Sequence, residues 1–370
     1  MNTRILQASD PEWTELLRSI PHDFYHTAAY HAFSERVGEG DARMAVADEA
    51  DRCFVWPYLQ RRAQAAGCDP SAQWFDVHSV YGYPGPLTNS HADPAFIGRA
   101  VRSVLARWQE EGVVSVFSRF HPLLGNSSIL RQAGFADAVV SNGRTVALDL
   151  TQSTEQFRAQ YPISLRQRLN RAERLGVTTT VDEDFEHLDQ FIDFYYATMD
   201  RNAASEGYYF PRSYFHALVR DIAPHMKLLL TRIQGQVAVA SLFSACGTIA
   251  QAHFIMTNPE FMALSPSKSA IDHARIWAAE QGCLRLHLGG GRGGDSDSLF
   301  RFKAEFSPCH FDFDTCRLIV NQDAYSELSG ERAAAASALC FSADAPAYFP
   351  AYRAALPTAK VSSNEVVHAF

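Results

Sequence analysis

The chain has no CxxC pair, and its seven cysteines (53, 68, 246, 283, 309, 316 and 340) are odd in number and widely scattered. That spacing offers no zinc site and fits reduced thiols better than a disulfide framework. Basic charge is also scarce: 33 Lys and Arg against 41 Asp and Glu leave a net charge of −8. A surface coated in cations for non-specific nucleic-acid binding is excluded, although a local basic groove is not. No apolar run approaches the roughly 20 residues of a membrane span. The opening MNTRILQASDPEW lacks a charged segment leading into an apolar core. No secretion signal, no membrane insertion and a cytoplasmic location are therefore expected. Missing too are a G-x-S-x-G elbow, a Walker loop, an H-E-x-x-H helix and a G-x-G-x-x-G turn entering a helix after the first strand. The chemistries that those motifs carry are set aside with them, and neither a metal nor a cofactor is expected.

What is present is ample apolar material. With 370 residues, 47% of them hydrophobic, the length fits roughly two domains. Apolar periodicity predicts strands at Ala42–Ala47, Arg52–Arg61, Trp74–Val80 and Val113–Arg119, with helices at Glu12–Arg18, Phe24–Arg36 and Ala95–Glu111. Val139–Leu150 reads as a hairpin turning at Ser141-Asn142-Gly143. The second half repeats the order of the first: helices over Phe185–Glu206 and Pro211–Ile222, strands at Met226–Ile233, Val237–Cys246 and Thr248–Met256, a helix from Ser265-Pro266 to Glu280, then a strand at Leu284–Leu288. The fold class expected is α+β (mixed α/β). Residues 1–150 form a first module, 151–330 a second, and 331–370 a closing helix with a tail at Thr358–Phe370.

Four stretches carry chemistry. Leu284–Phe306 delivers a strand into five glycines broken only by Arg292, then an acidic-hydroxyl patch and an aromatic-basic block. Glycine lets backbone approach closely, and Lys303 between Phe302 and Phe306 offers a cation to a developing negative charge. A plain loop after a buried strand is the alternative, and Asp295 and Asp297 speak against a phosphate cradle. The helix Ser164–Gly176 puts Leu165, Leu169, Ala172 and Leu175 on one face and Arg166, Arg171 and Arg174 opposite, with Arg168 at the edge. Arginine forks hold phosphates, although a solvated helix face reads the same way. Ser265 stands where a helix cap is expected, with Lys268 in the first turn. In the first half, Tyr81, Tyr83, Arg119 and His121 have the character of an acceptor cleft; His121 is a candidate to take a proton, although a lone histidine is more often structural or merely exposed.

Taken together, PISLRQRLNRAERLGV, GQVAVASLF, LSPSKSAIDHARIWAAEQGCLRLHLGGG and FRFKAEF, with VYGYPGPL, FSRFHPL and NGRTVALDL earlier, resemble the Fem-type aminoacyltransferases. The resemblance spans most of residues 20–320. It implies two tandem GNAT-like modules, each a mainly antiparallel sheet flanked by helices. It also implies transfer of an aminoacyl group from aminoacyl-tRNA to an amine of a small peptide, metabolite or cell-wall precursor. Phe302 and Lys303 would then face the aminoacyl ester. Arg166, Arg168 and Arg171, with Lys268 and Arg292, would hold donor phosphates, while Tyr81, Tyr83, Arg119 and His121 would contact the acceptor between the modules. The long charged helical arm of some cell-wall members is absent, which favours a smaller acceptor. An acyl-CoA or acyl-carrier-protein donor is the alternative on the same fold, and a non-catalytic binder of an anionic precursor is a second.

Overall fold

The computed structural model describes residues 1–66, 73–338 and 348–355, and these divide into two compact units. The first holds Met1–Asn142 and the described chain from Phe313 onward; the second holds Gly143–Asp312. In the first unit β1 (Asn2–Gln7), α1 (Pro11–Leu17) and α2 (Ala28–Arg36) precede β2 (Asp41–Glu49), β3 (Arg52–Arg62) and β4 (Phe75–His78). The short β5 (Leu87–Thr88) lies on β3. Next come α3 (Pro94–Glu110), β6 (Val113–Arg119) and α4 (Ser127–Gln132). The strand β7 (Val139–Asp149) carries the chain onward to α5 (Thr154–Ala159), α6 (Ile163–Arg174) and β8 (Thr178–Asp182). There follow α7 (Leu188–Arg201), α8 (Arg212–Ile222), β9 (Met226–Ile233), β10 (Gln236–Cys246) and β11 (Ile249–Thr257). The second unit closes with α9 (Ser267–Glu280), β12 (Arg285–Gly290) and α10 (Ser298–Ala304). Finally β13 (His310–Ile319) and α11 (Gln322–Ala338) return to the first unit.

The order β1-α1-α2-β2-β3-β4-α3-β6 is matched element for element by β8-α7-α8-β9-β10-β11-α9-β12. Each unit sets its strands in that same spatial order, with one parallel pair, β4/β6 in the first and β11/β12 in the second. The remaining pairs are antiparallel, so both units are mixed α+β modules. The sixth strand of each sheet comes from the other half of the sequence: β13 pairs β6 at Thr315–Ile319, and β7 pairs β12 at Thr145–Asp149. This corrects the sequence boundaries. The first unit stops at Asn142 rather than 150, and residues from Phe313 belong to it rather than to a module running to 330. The alternation in HFDFDTCRLI is local, but its partner strand lies about two hundred residues earlier, beyond the reach of periodicity. The tail expected at Thr358–Phe370 lies outside the described residues.

Helix α3 seats Phe96, Ala100, Val101, Val104 and Trp108 against Trp56, Tyr58, Val77 and Val116 of the first sheet. The Trp108 ring meets those of Trp56 and Tyr58 edge-on, each at 5.1 Å. In the second unit Ile271, Ala274, Trp277 and Ala278, spaced at helical intervals along α9, pack with Leu165 and Leu169 of α6 on Leu148, Phe243 and Leu286.

The hairpin expected at Ser141-Asn142-Gly143 does not form; β7 runs straight through. Gly143 holds φ +102°, and a Cβ there would lie 1.9 Å from the carbonyl oxygen of Gly294. The turn signal is a site of close backbone approach instead. Gly143→Ala should therefore destabilise the protein by more than about 2 kcal/mol, read as a lower urea midpoint at constant slope.

Candidate active site

The glycine run leaves β12 and turns into α10, and its geometry explains each residue. Gly291 packs so tightly that a Cβ would stand 2.0 Å from the Asp295 carbonyl oxygen, and one on Gly290 would stand 2.8 Å from that of Arg144. The acidic patch is a helix cap: the Asp297 carboxylate accepts from the Phe300 amide at 2.9 Å and from Arg292 Nε at 3.2 Å. Arg292 is thereby turned onto Asp297, with its side chain still 56% exposed. Phe300 and Phe306 are buried and anchor the two ends of α10.

Between those anchors stand Phe302 and Lys303, both half-buried. Lys303 Nζ donates to the Gly290 carbonyl oxygen at 2.6 Å. Burial pushes its ammonium down to about 8, against the opposing pull of Asp297. The cation is thus held against strand-end backbone with the protonated form favoured at neutral pH.

Lys268 is placed differently from the sequence expectation. It does sit in the first turn of α9, but its side chain is buried, pairs with Glu305 and lies 5.2 Å from the Phe302 ring centroid. It braces the aromatic-lysine pair and does not face solvent as a phosphate contact. Ser265 is no helix cap either. It takes a left-handed conformation (φ 52°), Pro266 occupies the cap position, and the Ser265 hydroxyl accepts from Arg168 Nη1 at 3.1 Å.

The arginine face of α6 stands as the wheel predicts: Leu165 and Leu169 are buried, and Arg166, Arg168, Arg171 and Arg174 are exposed. The one acid among them, Glu173, is taken by Arg158 at 2.7 Å. Among the described residues none of the four makes an ion pair, so their charge is uncompensated. Arg168 and Arg171 line a groove with Ala172, Leu175, Ile233 and Pro266. Beneath this face lies a buried hub that sequence reading missed. Asp272 on α9 accepts from Tyr161 Oη at 2.8 Å, from Arg158 at 2.6 Å and from Arg275 at 3.4 Å.

The first-unit candidates form a separate group. Tyr83 lies edge-on to Phe313 at 5.3 Å and near His121 at 6.3 Å; burial pushes its phenol up to about 12, with Arg119 pulling the other way. Tyr81 is half-buried, and its carbonyl oxygen accepts from Tyr30 Oη at 2.9 Å. His121 is fully buried, which corrects its place as an acceptor-facing base. Its Nδ1 accepts from the amides of Leu123 and Leu124, which assigns the proton to Nε2, facing Asp23 at 3.0 Å. This histidine ties a loop and has no nitrogen left for a substrate. Asp182, Glu186 and His187 gather three potential metal ligands. However, the Asp182 carboxylate already accepts from the amides of Glu186 and His187, and Arg232 stands beside His187. These bonds close the turn that leads into α7.

No curated protein matches the chain. Residues 159–303 match the family described as an acetyltransferase (GNAT) domain, a span that ends on Lys303. Among solved structures the chain is similar to FemX, at 14% identity and TM-score 0.68, over 88% of this chain and 99% of that one. It is also similar to a conserved protein of unknown function from Bacteroides thetaiotaomicron, at 9% identity and TM-score 0.54, over 86% and 99% of the two chains. No helix among the described residues is long and apolar enough to cross a membrane. The chain therefore has a fold similar to that of FemX, and residues 159–303, within its second unit, resemble a GNAT acetyltransferase domain.

Proposed function

We propose that this acyltransferase is an aminoacyltransferase that takes an aminoacyl group from aminoacyl-tRNA and forms an amide with the amine of a small peptide, metabolite or cell-wall precursor. The observation that carries the reading is Lys303, a half-buried cation held 2.6 Å from Gly290 O beside Phe302. The acceptor amine attacks the ester carbonyl carbon, and its oxygen becomes an oxyanion. Collapse then expels the ribose oxygen, which leaves with the proton that the amine gives up. Lys303 stabilises the charge on oxygen in both steps. Because the ester is already activated, the amine itself is the nucleophile and no covalent enzyme intermediate is needed.

The uncompensated arginines of α6 support a phosphate-rich donor, since each neutralised phosphate releases counterions and steepens the salt dependence. Charged tRNA is expected to bind with a steep salt slope. Replacing Arg166, Arg168 and Arg171 together by alanine should flatten that slope by about two, and binding at moderate salt should weaken at least roughly tenfold. A filter-binding titration over salt reads both; an unchanged slope would contradict the role given to α6.

A second reading, transfer from an acyl-CoA or acyl-carrier-protein thioester, is favoured by one observation. β11 and β12 pair in parallel over only three positions, Ile249–Gln251 with Arg285–His287. β11 then runs on to Thr257 with no further pairing to β12, which leaves strand-edge backbone for an extended thioester arm.

A further inference from the structure

Two exposed side chains, Arg144 and His310, meet beside the helix that carries Lys303. Arg144 leaves β7 where that strand lies flush with the glycine run. A Cβ on the preceding Gly143 would stand 1.9 Å from the Gly294 carbonyl oxygen, and one on Gly290 would stand 2.8 Å from that of Arg144 itself. The chain entering β13 runs alongside: the Ala147 amide donates to the Cys309 carbonyl oxygen at 3.1 Å, and the Thr145 hydroxyl to that of Phe311 at 3.4 Å. This pairing brings His310 to the same place, and both side chains close on one ring. The Arg144 guanidinium lies 6.0 Å from the Phe300 centroid, and the His310 imidazole meets that ring edge-on at 5.2 Å.

Phe300 is buried and stands on α10 one helical turn before Lys303, so the two project from neighbouring positions. Arg144 and His310 are themselves exposed, and among the described residues neither side chain makes a hydrogen bond or an ion pair. Asp297, which caps α10, is already held by Arg292 Nε at 3.2 Å. A ring contact at this distance restrains the guanidinium without occupying the fork of N–H donors that binds phosphate. Burial, and Arg144 after it, push the titration of the His310 imidazole down. Near neutral pH His310 is therefore an uncharged donor, and Arg144 supplies the charge.

We infer that Arg144 and His310 hold the phosphodiester joining the last two nucleotides of the donor, from their convergence on Phe300, one helical turn from Lys303. In a terminal aminoacyl ester only one ribose separates that phosphate from the reacting oxygen. Its partner is therefore expected close to the cation that meets the oxyanion, yet on a neighbouring element, as Arg144 is. The arginines of α6 are then left for phosphates farther along the chain. The inference rests on the proposed function in that the donor is a charged tRNA.

The test is equilibrium titration of the full chain with the dinucleotide cytidylyl-adenosine and with adenosine, which lacks the phosphodiester. The dinucleotide should bind at least roughly tenfold more tightly than adenosine. Arg144→Gln should weaken the dinucleotide by about tenfold and adenosine by no more than about twofold, with an unchanged melting temperature. Arg144→Lys should recover part of the loss, and His310→Gln should cost about threefold. The salt dependence of dinucleotide binding should vanish in Arg144→Gln, which a merely structural role would not produce. Equal affinity for the two ligands would overturn the assignment. So would the absence of saturable dinucleotide binding, or an Arg144→Gln protein that binds the dinucleotide normally. Dinucleotide binding that depends on Arg144, with no amide formed from any charged tRNA, would sink the proposed function and leave this site intact. Transfer from charged tRNA with a donor KM that Arg144→Gln leaves unchanged would sink this site and leave the function intact.

Discussion

Lys303→Met should remove transfer, with kcat falling about 10²- to 10³-fold and affinity for the donor changing by no more than about threefold. That split is expected of a group whose charge matters only once the oxyanion forms. Methionine keeps the length of the chain beside Phe302 and deletes the cation, so folding is spared. The same lysine sets an alkaline limit. Its ammonium is pushed down to about 8 in the folded protein from an ordinary value of 10.5. The protonated, working form is therefore lost as pH rises through about 8, and kcat should fall with it. Stability moves the other way. Between about 8 and 10.5 the unfolded chain binds more protons at this site than the folded one, so its contribution to stability rises with pH across that window. Opposite slopes of rate and stability over one pH interval would be hard to obtain from general alkaline damage. A Lys303→Met protein with normal kcat would remove Lys303 from the mechanism.

Asp272→Ala should be the most destabilising change in the second unit, at roughly 3–5 kcal/mol. Asp272 is 1% exposed and Arg275 is 3% exposed. With the carboxylate gone, Arg275 and the Tyr161 hydroxyl would be left in apolar surroundings without their partner. Burial and the nearby Asp272 charge already push the Tyr161 phenol up. The hub joins α9 to Arg158 of α5 and to Tyr161, just before α6, so its loss should also loosen the arginine face. Asp272→Asn keeps the shape and one acceptor, and should cost clearly less. Urea denaturation of the two variants gives the comparison; equal and small losses would show that the network contributes little.

Much of the site is legible in the sequence because its signals are local. A cation between aromatics, as at Phe302-Lys303-Phe306, and four arginines on one side of a leucine stripe need only helical spacing to be seen. What stays hidden depends on partners remote in sequence. Lys268 looks like a free cation at a helix start until Glu305 meets it. His121 looks like a base until Asp23, 98 residues earlier, and two loop amides take its nitrogens. The repeat of eight elements is visible as an order of helices and strands, yet the crossed supply of β7 and β13 is not. Strand register across the chain is set by tertiary packing and not by any single segment. Gly143 misleads for a related reason, because a residue without a side chain serves a turn and a close backbone approach equally well.

The most direct test of the account is competition binding of labelled aminoacyl-tRNA to the purified protein against acetyl-CoA at moderate salt. The account predicts saturable binding of charged tRNA that excess CoA leaves unchanged, and that weakens when Arg166, Arg168 and Arg171 are replaced. Displacement by CoA, or binding of CoA alone, would contradict it and make the second unit a thioester-dependent acyltransferase.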